Sequence, residues 1–129
     1  MTPLDLAEAF LQKGLGDEAL LERIVSDVEI ADWLFGFHAQ QAVEKYLKAV
    51  LAIDQERPER THDLGVLAEQ CRESGHALPE DLEGISDFSR YAVQERYPLA
   101  LTPPIDRASA LDVVIRVRAW VEDVVASAS

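Results

Sequence analysis

Phe37-His38-Ala39-Gln40-Gln41-Ala42-Val43-Glu44-Lys45-Tyr46-Leu47-Lys48-Ala49 holds two kinds of residue at helical spacing. At 100° per residue Ala39, Ala42, Val43, Tyr46, Leu47, Ala49, Val50 and Ile53 share one broad arc, and His38, Gln41, Glu44, Lys45 and Lys48 gather on the other. The pattern predicts an amphipathic helix over about 29–53, ended by Asp54-Gln55-Glu56-Arg57-Pro58 because Pro58 cannot continue the ladder. Upstream, Thr2 as cap, Pro3 at the first helical position and Asp5 in the first turn open a helix. Its stripe of Leu6, Ala7, Phe10, Leu11, Leu21 and Val25 stays in phase across Gly14-Leu15-Gly16, so one helix to about Ser26 is expected. Downstream, Thr61 is expected to cap a short helix carrying Leu64, Leu67, Ala68 and Cys71, stopped by Gly75. Pro79 opens a further helix with Leu82, Ile85, Phe88, Tyr91 and Ala92 facing inward, closed at Arg96-Tyr97-Pro98. A last helix over about 106–126 carries Ala108, Leu111, Val114, Ile115, Val117, Val121, Val124 and Val125, with exposed pairs Asp112–Arg116 and Arg118–Glu122. No stretch alternates apolar and polar residues over strand length, so the expected architecture is all-α, an antiparallel up-and-down bundle of four to five helices.

The 129 residues suit a single domain spanning the chain, and 48% hydrophobic residues supply a core without disulfide or metal. Twelve basic against 24 acidic side chains give a formal charge of -12, a field that repels phosphate and excludes duplex DNA as a general partner. The lone Cys71 has no disulfide partner within the chain, and Met1-Thr2-Pro3-Leu4-Asp5 lacks the build of a secretion signal, so a cytoplasmic protein is expected. The apolar run from Trp33 to Val43 is interrupted by His38, Gln40 and Gln41 and falls well short of the ~20 residues of a membrane span.

Within the central helix His38, Gln41, Lys45 and Lys48 occupy an arc about 80° wide, a donor-rich stripe on an acidic chain. It suits phosphate or a partner's carboxylates if its cations stay wet and unneutralised; if the protein's own acids occupy them, only a scaffold remains. A solvated face with Glu44 and Lys48 paired four apart is the plainer alternative. Arg96-Tyr97 joins the candidate surface, because an arginine beside an aromatic can grip a phosphate and stack on a base. Arg90 extends it unless Asp87, three residues away, pairs with it. His38, His62 and His76 show no metal-ligand spacing, six glycines form no phosphate loop, and Cys71 sits on an apolar face, so neither metal nor cofactor is expected. Trp33, Phe35, Phe37 and Trp120 are core or dimer contacts.

The His-Ala-Gln-Gln-Ala-x-Glu-Lys-x-Leu-Lys helix at 38–48, Thr61-His62-Asp63-Leu64, Arg96-Tyr97-Pro98 and the apolar final helix together make the chain resemble the HEPN family (higher eukaryotes and prokaryotes nucleotide-binding) over nearly its whole length. The resemblance implies a helical bundle, often homodimeric and made beside a minimal nucleotidyltransferase in toxin–antitoxin pairs, with nucleotide or RNA as ligand. Some members are metal-independent RNases using an Arg, four to six residues, then a His near the start of the last long helix. In such a pair the His takes a 2′-hydroxyl proton and the Arg holds the scissile phosphate.

This chain departs from that motif, since its last histidine is His76. The formal spacing recurs only in Arg57-Pro58-Glu59-Arg60-Thr61-His62, in a loop before the third helical element. A non-catalytic nucleotide- or partner-binding homodimer is therefore the leading expectation, with His38, Gln41, Lys45, Lys48, Arg96 and Tyr97 as its contacts. The alternative is a rearranged RNase centre drawn from His38 or His62 as base and Arg90 or Arg96 as phosphate clamp. An interaction module using the acidic surface against a basic partner is the third reading.

Overall fold

The computed structural model describes residues 1–91 and 104–128. Four α-helices, α1 (Pro3–Ile24), α2 (Asp32–Ile53), α3 (Leu64–Glu73) and α4 (Arg107–Ser127), surround a core completed by a 3-10 helical segment, Glu80–Tyr91. The bundle, with five helical elements among the described residues, is the one the apolar spacing predicts. It is centred on α2, whose buried residues include Phe35, Ala39, Val43, Tyr46, Leu47, Val50 and Leu51. α1 packs antiparallel to α2. α3 runs alongside α2 in the same direction, because the 54–63 loop carries the chain back: His62 lies at Glu44, Cys71 at the Leu47 carbonyl and His76 at Asp54.

α1 opens on a reciprocal cap, Thr2 Oγ1 accepting from the Asp5 amide at 3.1 Å and Asp5 Oδ2 from the Thr2 amide at 3.0 Å. It is continuous through Gly14, for which the sequence supplies no reason beyond tolerance of a bend. The reason is a close approach. A Cβ at Gly14 would stand 2.4 Å from Cε1 of Tyr46, whose ring lies against the α1 backbone. The Tyr46 hydroxyl donates to buried Glu18 at 2.9 Å, and Arg118 Nε reaches both Glu18 oxygens at 3.1 Å while its Nη1 donates to Glu122 at 3.0 Å. Arg118 is thus not the exposed partner the i, i+4 spacing suggests; its first obligation is a carboxylate that would otherwise be buried unpaired. Burial first, then the Glu18 carboxylate, pushes the Tyr46 phenol far above its usual range.

α2 begins at Asp32 rather than near 29, because Arg107 shapes the preceding turn. Its guanidinium donates to the carbonyls of Ile24 and Asp27 at 2.9 Å, to that of Ile30, and to Asp32 Oδ1 at 2.9 Å. It also lies 5.5 Å from the centroid of the Phe35 ring. One side chain from the first residue of α4 thereby caps the α1 C-terminus, whose dipole favours a cation, and ties it to the start of α2. α2 ends on Gln55 in the left-handed region (φ 57), with the Glu56 amide donating to Leu51 O at 2.9 Å. α3 ends the same way, on Gly75 at φ 99 with His76 N donating to Cys71 O.

Asp63, not Thr61, caps α3: Asp63 Oδ1 accepts from the Gly65 and Val66 amides, while Thr61 Oγ1 accepts from the Asp63 amide. Gln40 holds the His62 carbonyl at 3.0 Å and so keeps the residues before Leu64 outside the helix. The segment after Pro79 is 3-10 rather than α, for a reason present in its spacing. Leu82, Ile85, Phe88 and Tyr91, all buried, recur every third residue, and only a helix of three residues per turn puts all four on one face. In α4 the buried row is Ala110, Val114, Val117, Val121 and Val125; Leu111, Ile115 and Val124 flank it half-buried, and Ala108 is exposed.

Candidate functional site

α2 is enclosed on nearly every side, and the part left half-open is a narrow strip holding Phe37, His38, Gln41, Lys45 and Lys48. Four of these are donors predicted to form a stripe, and the helix does bring them together. They are not free. Asp17, reaching across from α1, accepts from Lys45 Nζ at 2.5 Å and meets His38 Nδ1 at 2.9 Å. On the other edge buried Glu44 takes Lys48 Nζ at 3.0 Å, Gln40 Nε2 at 2.9 Å and His62 Nδ1 at 2.7 Å. Gln41 closes the gap by donating to Gln40 Oε1 at 2.7 Å, and Gln40 also holds the His62 carbonyl.

The expected wet cationic stripe is therefore a charge-balanced ribbon. Lys45 and Lys48 face Asp17 and Glu44 one for one, so the two ammonium groups leave no excess positive charge. Burial pushes the Glu44 carboxyl up, but the hydrogen bonds from His62, Gln40 and Lys48 outweigh it and hold the group below the usual glutamate range.

The other candidates are dispersed. His62 stands at the ribbon's edge with its side chain 58% exposed, its Nδ1 on Glu44 and Nε2 turned to no partner among the described residues. Arg90 is exposed and lies 3.7 Å from Asp87, the three-apart pairing that competes with a ligand role. Arg96 and Tyr97 fall outside the described residues. His76 pairs with Asp54 at 3.1 Å, so each histidine has its own carboxylate. Cys71 is packed in the core and its thiol is pushed up to about 12, by burial first and then by Asp54, which fits a packing role and not a thiolate nucleophile. Among the described residues no helix is long and apolar enough to cross a membrane.

The sequence reading missed Asp17, Gln40 and the buried Glu18. A signal existed for two of them: Glu18 falls in phase with Ala7, Leu21 and Val25, and Gln40 lies seven residues from Leu47 on the apolar arc. A polar side chain in an apolar row announces a buried partner.

The HEPN domain family matches residues 18–124 of this chain. Among solved structures, TT1696 from Thermus thermophilus superposes with a TM-score of 0.74 over 92% of this chain and 97% of that one, at 23% identity, a likeness of fold. No curated protein sequence matches.

Proposed function

The chain belongs to the HEPN family, and from that premise we propose that it is a non-catalytic, partner-binding homodimer whose α2 ribbon receives a minimal nucleotidyltransferase in a toxin–antitoxin type system. The observation that carries this reading is the internal closure of the ribbon: with Asp17 on His38 and Lys45 and Glu44 on Lys48, no free cation of the ribbon is left for phosphate or carboxylate recognition, and what remains is a fixed scaffold on which a partner can dock. An anion arriving there must displace Asp17 from Lys45 or Glu44 from Lys48, so capture of a free nucleotide is disfavoured. A fixed array of satisfied polar groups is instead a ready surface for a protein that adds hydrogen bonds at its rim. The net charge of -12 draws a partner with basic groups to the chain as a whole, while the charge-balanced ribbon itself selects neither sign. Half-buried Trp33, Phe37 and Trp120 offer the apolar contacts for a second copy.

The test is titration of the purified chain against a minimal nucleotidyltransferase, taken from the adjacent reading frame where that frame encodes one, with sedimentation to read the oligomeric state. Gln41→Arg, which adds bulk and charge at the ribbon's middle, is expected to weaken binding at least tenfold and leave the melting temperature within a few degrees. Micromolar binding of a mononucleotide that is lost in Lys45→Ala and Lys48→Ala would replace this reading with nucleotide recognition.

One observation favours a second reading. A buried carboxylate fixing Nδ1 of an exposed histidine is the arrangement of a general base, and Glu44–His62 has it. The family's RNase activity with His62 as base predicts cleavage of bulk RNA in chelator, abolished in His62→Ala and reduced in Glu44→Gln. The non-catalytic reading predicts no cleavage above that of a mock purification.

A further inference from the structure

The 12 residues Glu80–Tyr91 form a 3-10 helix, although runs beyond three or four residues are uncommon because the hydrogen-bond geometry is poorer than in an α-helix. Its register is maintained by packing. Leu82, Ile85, Phe88 and Tyr91 all point into the bundle; at 100° per residue Leu82 and Tyr91 would face opposite ways, leaving Ile85 and Phe88 about 60° apart on a shared face. Ties outside the segment hold the tighter form. Ser89 Oγ accepts from the Leu64 amide at 2.9 Å, Asp81 pairs with Arg116 of α4 at 2.5 Å, and the Tyr91 ring lies flat on α2 at Gly36, where a Cβ would stand 2.5 Å from Cγ of the ring. The last of these needs a glycine opposite the ring and sits at the end of the segment, where a change of register moves the chain furthest.

We propose that Glu80–Tyr91 is a two-state element, latched in its 3-10 form by Tyr91 on Gly36 and converting to an α-helix when that latch is released. The rise per residue differs by about 0.5 Å between the two forms, so over 12 residues the segment shortens by roughly 5–6 Å. With Ile85 and Phe88 kept inward, Tyr91 swings out of the core by about a quarter turn and Leu82 by as much in the opposite direction. The segment is one wall of a cavity of about 290 Å³ facing α4, to which Phe88, Arg90 and Tyr91 contribute opposite Ile105, Ser109 and Val113. Conversion therefore rebuilds that cavity, and a molecule or partner that fits only one form shifts the balance between them.

Spin labels at Glu80→Cys and Arg90→Cys read the length directly, since the native thiol Cys71 is buried and resists labelling. Tyr91→Phe keeps the ring and should keep the long distance, with α-proton to amide contacts of the i, i+2 type. Tyr91→Ala should shorten the label distance by about 5 Å and replace those contacts by i, i+4 ones; if it fails to fold, Tyr91→Leu is read the same way. A Tyr91→Ala or Tyr91→Leu variant that folds and keeps the long distance, or that loses helical contacts throughout the segment, overturns the proposal.

Discussion

Gly14 and Gly16 lie two residues apart in the same helix, and the structure assigns opposite signs to the same substitution at each. In an isolated helix, alanine for glycine stabilises by about 1 kcal/mol. At Gly16 a Cβ meets nothing within 4 Å, so Gly16→Ala should realise most of that gain, about 0.5–1 kcal/mol. At Gly14 the new carbon lies 2.4 Å from Cε1 and 2.6 Å from Cδ1 of Tyr46. The ring cannot retreat cheaply, because it is fully buried and its hydroxyl is bonded to Glu18. Overpacking of this kind costs about 1–3 kcal/mol, and a displaced hydroxyl adds ~1 kcal/mol or more for a buried bond to a charged group. After the propensity gain the net loss is about 2 kcal/mol, or roughly 7 °C in Tm for a chain of this length. Urea unfolding of both variants beside the parent measures the difference, about 3 kcal/mol between the pair. Equal stabilities for Gly14→Ala and Gly16→Ala would refute the close approach of Tyr46 as the reason for Gly14.

Gln55 carries a φ of 57 at the α2 C-terminus, so Gln55→Gly should stabilise by about 0.5–1 kcal/mol in the same assay, strain relief exceeding the added chain entropy. Arg107→Ala takes the guanidinium from the Ile30 carbonyl and the Asp32 carboxylate and a second donor from the carbonyls of Ile24 and Asp27, which keep only the Asp27 and Ile30 amides, and thermal unfolding should show a loss of about 3 kcal/mol. Glu44 has a folded-state pKa below the ordinary value of 4.5, so the native state binds fewer protons there than the unfolded chain. Its contribution is complete above that value and drains away as the pH falls through the lowered one. Stability measured from pH 7 down to 3 should consequently fall less steeply in Glu44→Gln than in the parent, though from a lower starting point.

The all-helical bundle was legible because periodicity is a property of single segments: the rows on α1, α2 and α4 are written in consecutive turns. Boundaries set from a distance were not. The start of α2 depends on Arg107, 75 residues from Asp32, and the turn before the Asp63 cap of α3 on a glutamine from another helix that holds the His62 carbonyl. The 3-10 segment was readable in principle, since Leu82, Ile85, Phe88 and Tyr91 are spaced by three without exception. The candidate ribbon was half legible. Spacing alone placed His38, Gln41, Lys45 and Lys48 together, but their neutralisation comes partly from Asp17 on α1, a pairing no local pattern contains.

Arg107 also sets an order of events during synthesis. The turn between the first two helices can be threaded early, with the Asp27 and Ile30 amides on the carbonyls of Ile24 and Asp27, yet the guanidinium that ties these carbonyls to that of Ile30 lies about 80 residues further along the chain. On a ribosome the α1–α2 hairpin is thus exposed with an unsecured hinge until α4 starts to emerge. This interval is when chaperones or proteases have most access to the nascent chain.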